Sequence, residues 1–126
     1  MARILVVDDE YPVRFLIRKV LESVGHNVFE AASGQDALDM LRTHPDPFDL
    51  IVLDVRMPYM DGFELLPILR RQPISAHIPV IIASAHTDTI PQPLKHEISG
   101  HLLKPFTRQK LIDIVNYALV AYSTQS

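Results

Sequence analysis

The chain has 126 residues, a length for one domain, with a net charge of −3 and no block of basic residues, so nothing in it points to nucleic acid. It contains no cysteine, which excludes disulfide and thiolate chemistry and fits a reducing compartment. No apolar run reaches membrane-spanning length, and Met1-Ala2-Arg3-Ile4 leads straight into a strand with no room for a signal peptide, so a cytoplasmic location away from the membrane is expected.

The first apolar run, Ile4-Leu5-Val6-Val7, is closed by Asp8 and Asp9. Short continuous runs rich in Val and Ile read as strands buried on both faces. The first helix is expected from about Pro12 to Val24, with Val13, Leu16, Ile17, Val20, Leu21 and Val24 at helical spacing. Pro12 suits its first turn and Gly25 its end. Phe15, beside Arg14, Arg18 and Lys19, falls off that stripe and reads as an exposed aromatic. A short strand follows at Val28–Ala31. Ser33 reads as the cap of a second helix that ends near His44-Pro45.

The third strand, Leu50-Ile51-Val52-Leu53, is closed by Asp54. A loop from Arg56 to Gly62 leads to a third helix with Phe63, Leu65, Leu66, Ile68 and Leu69, and Pro67 inside it removes a hydrogen bond. The fourth strand, Pro79–Ala83, is closed by Ser84, and the fifth, near Gly100–Leu103, by Lys104. Between them Pro91 and Pro93 leave little more than one good helical turn, so the fourth helix is expected to be short, irregular or mobile. The last helix is expected from Arg108 to Tyr122, with Leu111, Val115, Ala118, Leu119 and Tyr122 inward, Ile114 at the edge, and Tyr117 and Val120 outward. That outward apolar surface reads as a partner or self-association site, a phosphorylation-dependent homodimer being one form of it. Strand and helix alternate throughout, which gives an α/β sheet with helices on both faces.

In an open parallel sheet, ligands bind outside the carboxyl ends of the strands. The strand-closing residues Asp8, Asp9, Asp54, Ser84 and Lys104 are therefore expected at one edge. Two like charges about 5 Å apart repel by roughly 3 kcal/mol at an effective dielectric near 20, so three carboxylates call for a cation. Oxygen ligands with open positions suit Mg²⁺, with Mn²⁺ as an alternative. A carboxylate can also act as a nucleophile and form an acyl phosphate, with a lysine and a hydroxyl to bind the transferred group. Singly, each feature has a plain structural reading: the Asp pair as a helix cap, Asp54 as a turn residue.

Together, the residues resemble the receiver domain of two-component response regulators. The resemblance rests on Val6-Val7-Asp8-Asp9-Glu10, Leu53-Asp54-Val55-Arg56-Met57-Pro58 with Met60-Asp61-Gly62, Pro79-Val80-Ile81-Ile82-Ala83-Ser84-Ala85 and Lys104-Pro105-Phe106. It covers nearly the whole chain, in order, and implies one receiver domain over residues 1–126 with no output domain. The implied fold is a doubly wound, five-stranded parallel sheet of flavodoxin-like order 2-1-3-4-5. Asp54 would be the phosphoacceptor. Mg²⁺ would be held by Asp9, Asp54 and the backbone carbonyl of Arg56, and by Asp8 through water. Ser84 and Lys104 would bind the phosphoryl group, and the Lys104–Pro105 bond would be cis. The implied donor is a histidine kinase or histidine phosphotransfer protein, the first helix being its usual docking element, and the chain would catalyse only its own phosphorylation and dephosphorylation.

Two departures stand out. His101 occupies a position where the family usually has an inward-turning Tyr or Phe, a switch residue paired with Ser84. The segment from Ser84 to Lys104 spans 20 positions, slightly short for the family. Arg56 and His86, each two residues past a site residue, occupy positions that in the family tune phosphoryl lifetime, so the resemblance implies that role for them. No His pair has the spacing of a helical metal motif, so no transition-metal site is expected. Among rivals, a haloacid-dehalogenase-type phosphohydrolase needs Asp-x-Asp on the first strand, and a nucleotide- or flavin-binding module needs a glycine-rich phosphate loop. A pseudo-receiver usually lacks an acceptor, metal or lysine position. A receiver cut from a larger regulator or hybrid kinase fits the sequence as well as a stand-alone regulator does.

Overall fold

The computed structural model describes residues 1–125, with side chains through Ala121. Five parallel strands, β1 (Arg3–Val7), β2 (Asn27–Ala31), β3 (Leu50–Asp54), β4 (Val80–Ala85) and β5 (Gly100–Lys104), pair in the order β2-β1-β3-β4-β5. Four α-helices connect or follow them: α1 (Tyr11–Ser23), α2 (Gly34–Thr43), α3 (Gly62–Arg71) and α4 (Arg108–Gln125). The expected doubly wound sheet is present.

Strand alternation builds two cores. Leu5, Val7, Ile51, Leu53 and Ile82 face one side, where Ala37, Leu41, Leu65, Leu66 and Leu69 of α2 and α3 cover them. Ile4, Val6, Leu50, Val52, Ile81, Ala83 and Leu102 face the other, under Ile17, Val20 and Leu21 of α1 and Leu111, Ile112, Val115 and Ala118 of α4. Because successive side chains point to opposite faces, a strand buried on both must be apolar throughout.

Local chemistry sets the helix starts. Ser33 accepts from the Asp36 amide at 3.0 Å. Asp61 and Glu64 form a reciprocal capping box at the start of α3. That helix continues through Pro67. Between β4 and β5 the two prolines leave only a 3-10 helix, Gln92–Glu97, which is the short, irregular element expected there.

The apolar stripe of α1 is narrower than its sequence reads. Ile17, Val20 and Leu21 are buried, but Leu16 is 53% exposed and Val24 40% exposed. The sheet and α4 cover only one arc of α1, and Leu16 lies beyond it, beside Val13, Pro105 and Phe106 in a shallow apolar hollow. Phe15 is exposed, as expected, and so are Tyr117 and Val120. On α4, Leu111, Val115 and Ala118 point inward and Leu119 is half-buried, while Ile112 joins the buried set from outside the expected stripe. The inward placement expected of Tyr122 lies outside the described side chains. No helix among the described residues is long and apolar enough to cross a membrane.

The loop after β3 depends on Gly62. Its amide donates to the Val55 carbonyl at 2.8 Å, and a Cβ there would lie 2.5 Å from the Asp54 carbonyl oxygen. That neighbour is backbone and cannot swing aside. Gly62→Ala should therefore cost about 1–3 kcal/mol, the usual range for overpacking, and shift the Asp54–Val55 backbone. Urea denaturation of the two proteins measures it; equal midpoints would show that the loop relaxes freely.

Candidate functional site

The carboxyl ends of β1, β3, β4 and β5 bring the expected residues together. Lys104 Nζ lies 2.6 Å from Asp54 Oδ1 and 3.8 Å from Asp8 Oδ2. Lys104 leaves an outer strand and crosses the end of β4 to reach β3. The small residues at that end, Ala83, Ser84 and Ala85, leave room for it. Asp8, Asp54 and Ser84 are buried, whereas Asp9 is exposed. The Lys104–Pro105 peptide bond is cis.

Asp8 is fixed from several sides. Its amide donates to the Ala31 carbonyl at 3.1 Å, and its Oδ1 accepts from the Glu10 amide at 2.9 Å. Arg14 donates to its backbone carbonyl at 2.7 Å while pairing with Glu30 at 2.7 Å. Asp8 Oδ2 is buried and has no hydrogen-bond partner. Native structures rarely leave such an atom unsatisfied without a water or ion to serve it. Ligand oxygens of Asp8, Asp9 and Glu10 all lie within 4.8 Å of one another. An orphaned buried carboxylate oxygen inside an oxygen-only cluster fits a hard divalent cation such as Mg²⁺.

Charge at the site is costly. Burial pushes the Asp54 carboxyl up to about 6, against the pull of Lys104 and helped by the negative charge of Asp8 and Asp9. Burial likewise pushes Asp8 up, against the Glu10 amide and Lys104. Burial draws Lys104 down, but the hydrogen bond and charge of Asp54, with Asp8 and Glu10, outweigh it and hold the ammonium form. Both partners of the Asp54–Lys104 pair thus shift upward. One ammonium shared between two buried carboxylates cannot offset the desolvation of both.

Ser84 Oγ is hydrogen-bonded to His101 Nε2. The two expected switch residues therefore touch, although the His101 residue as a whole stays exposed. The Arg56 side chain does not reach into the site. It pairs with Asp88, while His86 is exposed.

Three contributors were not legible as such in the sequence. Glu10 joins the acidic cluster, and its only signal was its place after Asp8-Asp9. Arg14 anchors the Asp8 backbone, yet on a helical wheel it reads as part of a solvated basic face. Asp88 holds Arg56 across 32 positions, for which local sequence carries no signal.

Residues 4–116 match the response regulator receiver domain. The chain belongs to that family. Sporulation initiation phosphotransferase F of Bacillus subtilis (strain 168) is 38% identical over 115 residues, covering 90% of this chain and 90% of that protein. Two-component response regulator ARR10 of Arabidopsis thaliana is 35% identical over 114 residues, 89% of this chain but only 20% of that longer protein. A solved response regulator receiver domain protein from Clostridium thermocellum matches with a TM-score of 0.88 over 100% of both chains, at 29% identity. The receiver fold and the receiver family thus agree.

The raised Asp54 value has a consequence for stability. A carboxyl whose folded value lies above its unfolded value favours the fold only while protonated, so that contribution is complete below about pH 4 and lost as the pH rises through about 6. At neutral pH the ionised Asp54 costs the receiver up to about 3 kcal/mol, since each tenfold change in proton affinity is worth about 1.4 kcal/mol. Asp54→Asn should therefore be more stable than the unaltered chain at about pH 7.5, by up to that amount, and nearly equal at about pH 4. Denaturant midpoints at the two pH values test this, and a variant less stable at both would refute it.

Proposed function

We propose that this receiver accepts a phosphoryl group on Asp54, in a reaction that requires Mg²⁺ or Mn²⁺, and uses it to switch partner binding. The observation that carries the reading is the buried Asp54 carboxylate, gripped by Lys104 and flanked by Asp8, whose second oxygen has no partner. Receiver domains of this family accept phosphoryl groups from histidine kinases or phosphotransfer proteins. The same class of donor is proposed here, and the downstream target is a protein rather than nucleic acid.

Asp8, Asp9, Asp54 and the backbone carbonyl of Arg56 would hold the metal. When bound, it supplies positive charge toward the donor's phosphate. Asp54 is the nucleophile: its oxygen forms a bond to phosphorus as the phosphorus–nitrogen bond of the donor phosphohistidine breaks and the imidazole leaves. Lys104 neutralises a developing phosphoryl oxygen, and Ser84 donates a hydrogen bond to another. The receiver acts on itself in this scheme and turns over no separate substrate. The apolar hollow formed by Leu16, Val13, Pro105 and Phe106 adjoins Lys104 and suits the helices of a phosphohistidine donor, with Phe15 and Tyr11 exposed on the same helix.

Intact-mass spectrometry after incubation with acetyl phosphate tests the chemistry. One added phosphoryl group is expected with Mg²⁺, none after chelation, and none in Asp54→Asn. Full labelling of Asp54→Asn, or labelling indifferent to chelation, would refute the reading. Transfer from a panel of purified histidine kinases tests the docking face: Leu16→Ala should slow transfer from the cognate kinase while leaving labelling by acetyl phosphate intact.

The Ser84–His101 bond bears on the switch. A serine hydroxyl has one proton to give. When Ser84 donates to neutral His101 it cannot also donate to a phosphoryl oxygen, so it must exchange one partner for the other. The net gain is then smaller than the roughly 1.5–3 kcal/mol of a charged hydrogen bond formed from a free hydroxyl. Full switching from 1:99 to 99:1 takes about 5.5 kcal/mol. His101→Tyr should therefore move β5 and loop resonances of the beryllofluoride-bound form further along the inactive-to-active line. Identical endpoints for the two proteins in NMR spectra would show that the exchange costs nothing.

A further inference from the structure

Two loops leave the sheet beside Asp54, one after β3 and one after β4. The sheet itself joins them as far as the hydrogen bond from the Val55 amide to the Ala83 carbonyl, at 3.1 Å. Beyond that point the Asp88 carboxylate bridges them. Asp88 Oδ1 accepts from Arg56 Nε at 2.9 Å and lies 2.7 Å from a second guanidinium nitrogen. Its Oδ2 accepts from the Ala85 amide at 3.0 Å, and its own amide donates to the Ala85 carbonyl at 3.0 Å. The Asp88 side chain is 5% exposed and that of Arg56 72%. A buried anion is thus anchored to the residue after Ser84 and reaches out to hold a cation two residues after Asp54. The pair lines a hollow of about 550 Å³ together with Val55, the residue after Asp54, and Met57 and Phe63.

We propose that Asp88 is a positioning residue: it latches Arg56 across the two loops and thereby lengthens the life of the phosphoryl group on Asp54. This rests on the phosphoacceptor reading above. Loss of the group is attack of water on phosphorus. A new phosphorus–oxygen bond forms to water, the bond from phosphorus to the Asp54 oxygen breaks, and aspartate, inorganic phosphate and a proton result. Water must come through the space between these loops or their neighbours. Tying the loops together removes open conformations, and occupying the guanidinium with Asp88 keeps it at the rim of the hollow. With the carboxylate neutralised, the latch has only the turn at Ala85 left.

Asp88→Asn separates the two duties of the side chain. The amide oxygen still accepts from Ala85, so the turn persists, while the ion pair is lost. The half-life of phosphorylated Asp54 should fall by about three- to tenfold in Asp88→Asn and in Arg56→Ala, and the double variant should fall no further, since the two side chains act as one unit. Phosphorylated protein is prepared with acetyl phosphate and Mg²⁺, stripped of donor, and followed by intact mass. Unchanged or longer half-lives, or additive losses in the double variant, would overturn the proposal. An independent readout needs no phosphorylation: the Arg56 Nε–H resonance should be protected from exchange in the unaltered chain and unprotected in Asp88→Asn. Equal exchange in both would also overturn it. Failure of the unaltered chain to label at all would instead overturn the phosphoacceptor reading, and the claim on lifetime would fall with it.

Discussion

The structure turns on one ammonium shared by two buried carboxylates. Asp8 and Asp54 end neighbouring strands and are almost wholly removed from water. Lys104 is the cation that meets both. Taking carboxylates out of water costs several kcal/mol each, and a single ion pair recovers only part of this. Much of the local architecture serves that arrangement. Small residues end β4 so that the lysine can pass, Arg14 pins the Asp8 backbone, and Gly62 lets the chain turn against the Asp54 carbonyl. The raised Asp54 and Asp8 values measure what burial still leaves uncompensated.

The sequence made the sheet and its edge legible because their signals are redundant. A strand buried on both faces has no freedom to be polar, so Ile4–Val7, Leu50–Leu53 and Val80–Ala83 announce themselves, and the first polar residue after each marks the edge. Three such endings, with Lys104 closing the fifth strand, identify the family in this order more firmly than any alone. What was not legible depends on which side of an element its neighbours cover. Leu16 and Val24 carry the right periodicity for burial and are exposed, because α4 and the sheet do not extend over them. Ile112 is buried for the converse reason. The contact between loops was equally hidden: nothing near Asp88 in the sequence points to Arg56, whereas the pairing of His101 with Ser84 follows from the switch positions that the resemblance implies.

Those two contacts share a property. The groups best placed to respond to a phosphoryl group are already engaged, Ser84 with His101 and Lys104 with Asp54, and Arg56 beside them is held by Asp88. A site with free donors would gain the whole of each new hydrogen bond. Where Ser84 is the donor to His101, a new bond to a phosphoryl oxygen replaces an old one, and hydrogen bonding then contributes to switching only as a difference.

That shifts the source of the driving force to charge. Under the phosphoacceptor reading, esterification turns the Asp54 carboxylate into a neutral acyl oxygen. Burial, which pushes the Asp54 carboxyl up to about 6, would then bear on no charge at that position, and the penalty for ionising it at neutral pH would go. The phosphoryl group would add negative charge beyond the carboxyl carbon, beside the acidic Asp8, Asp9 and Glu10, which a divalent cation would balance. The inward strand ends then hold one buried carboxylate, Asp8, in place of two. Under that reading the modification removes the cost of ionising a buried Asp54, a contribution that hydrogen-bond exchange at Ser84 does not supply. Under the same reading, a receiver whose Ser84 is bonded to His101 draws more on the electrostatics of Asp54, Asp8 and Lys104 than one with a free serine would.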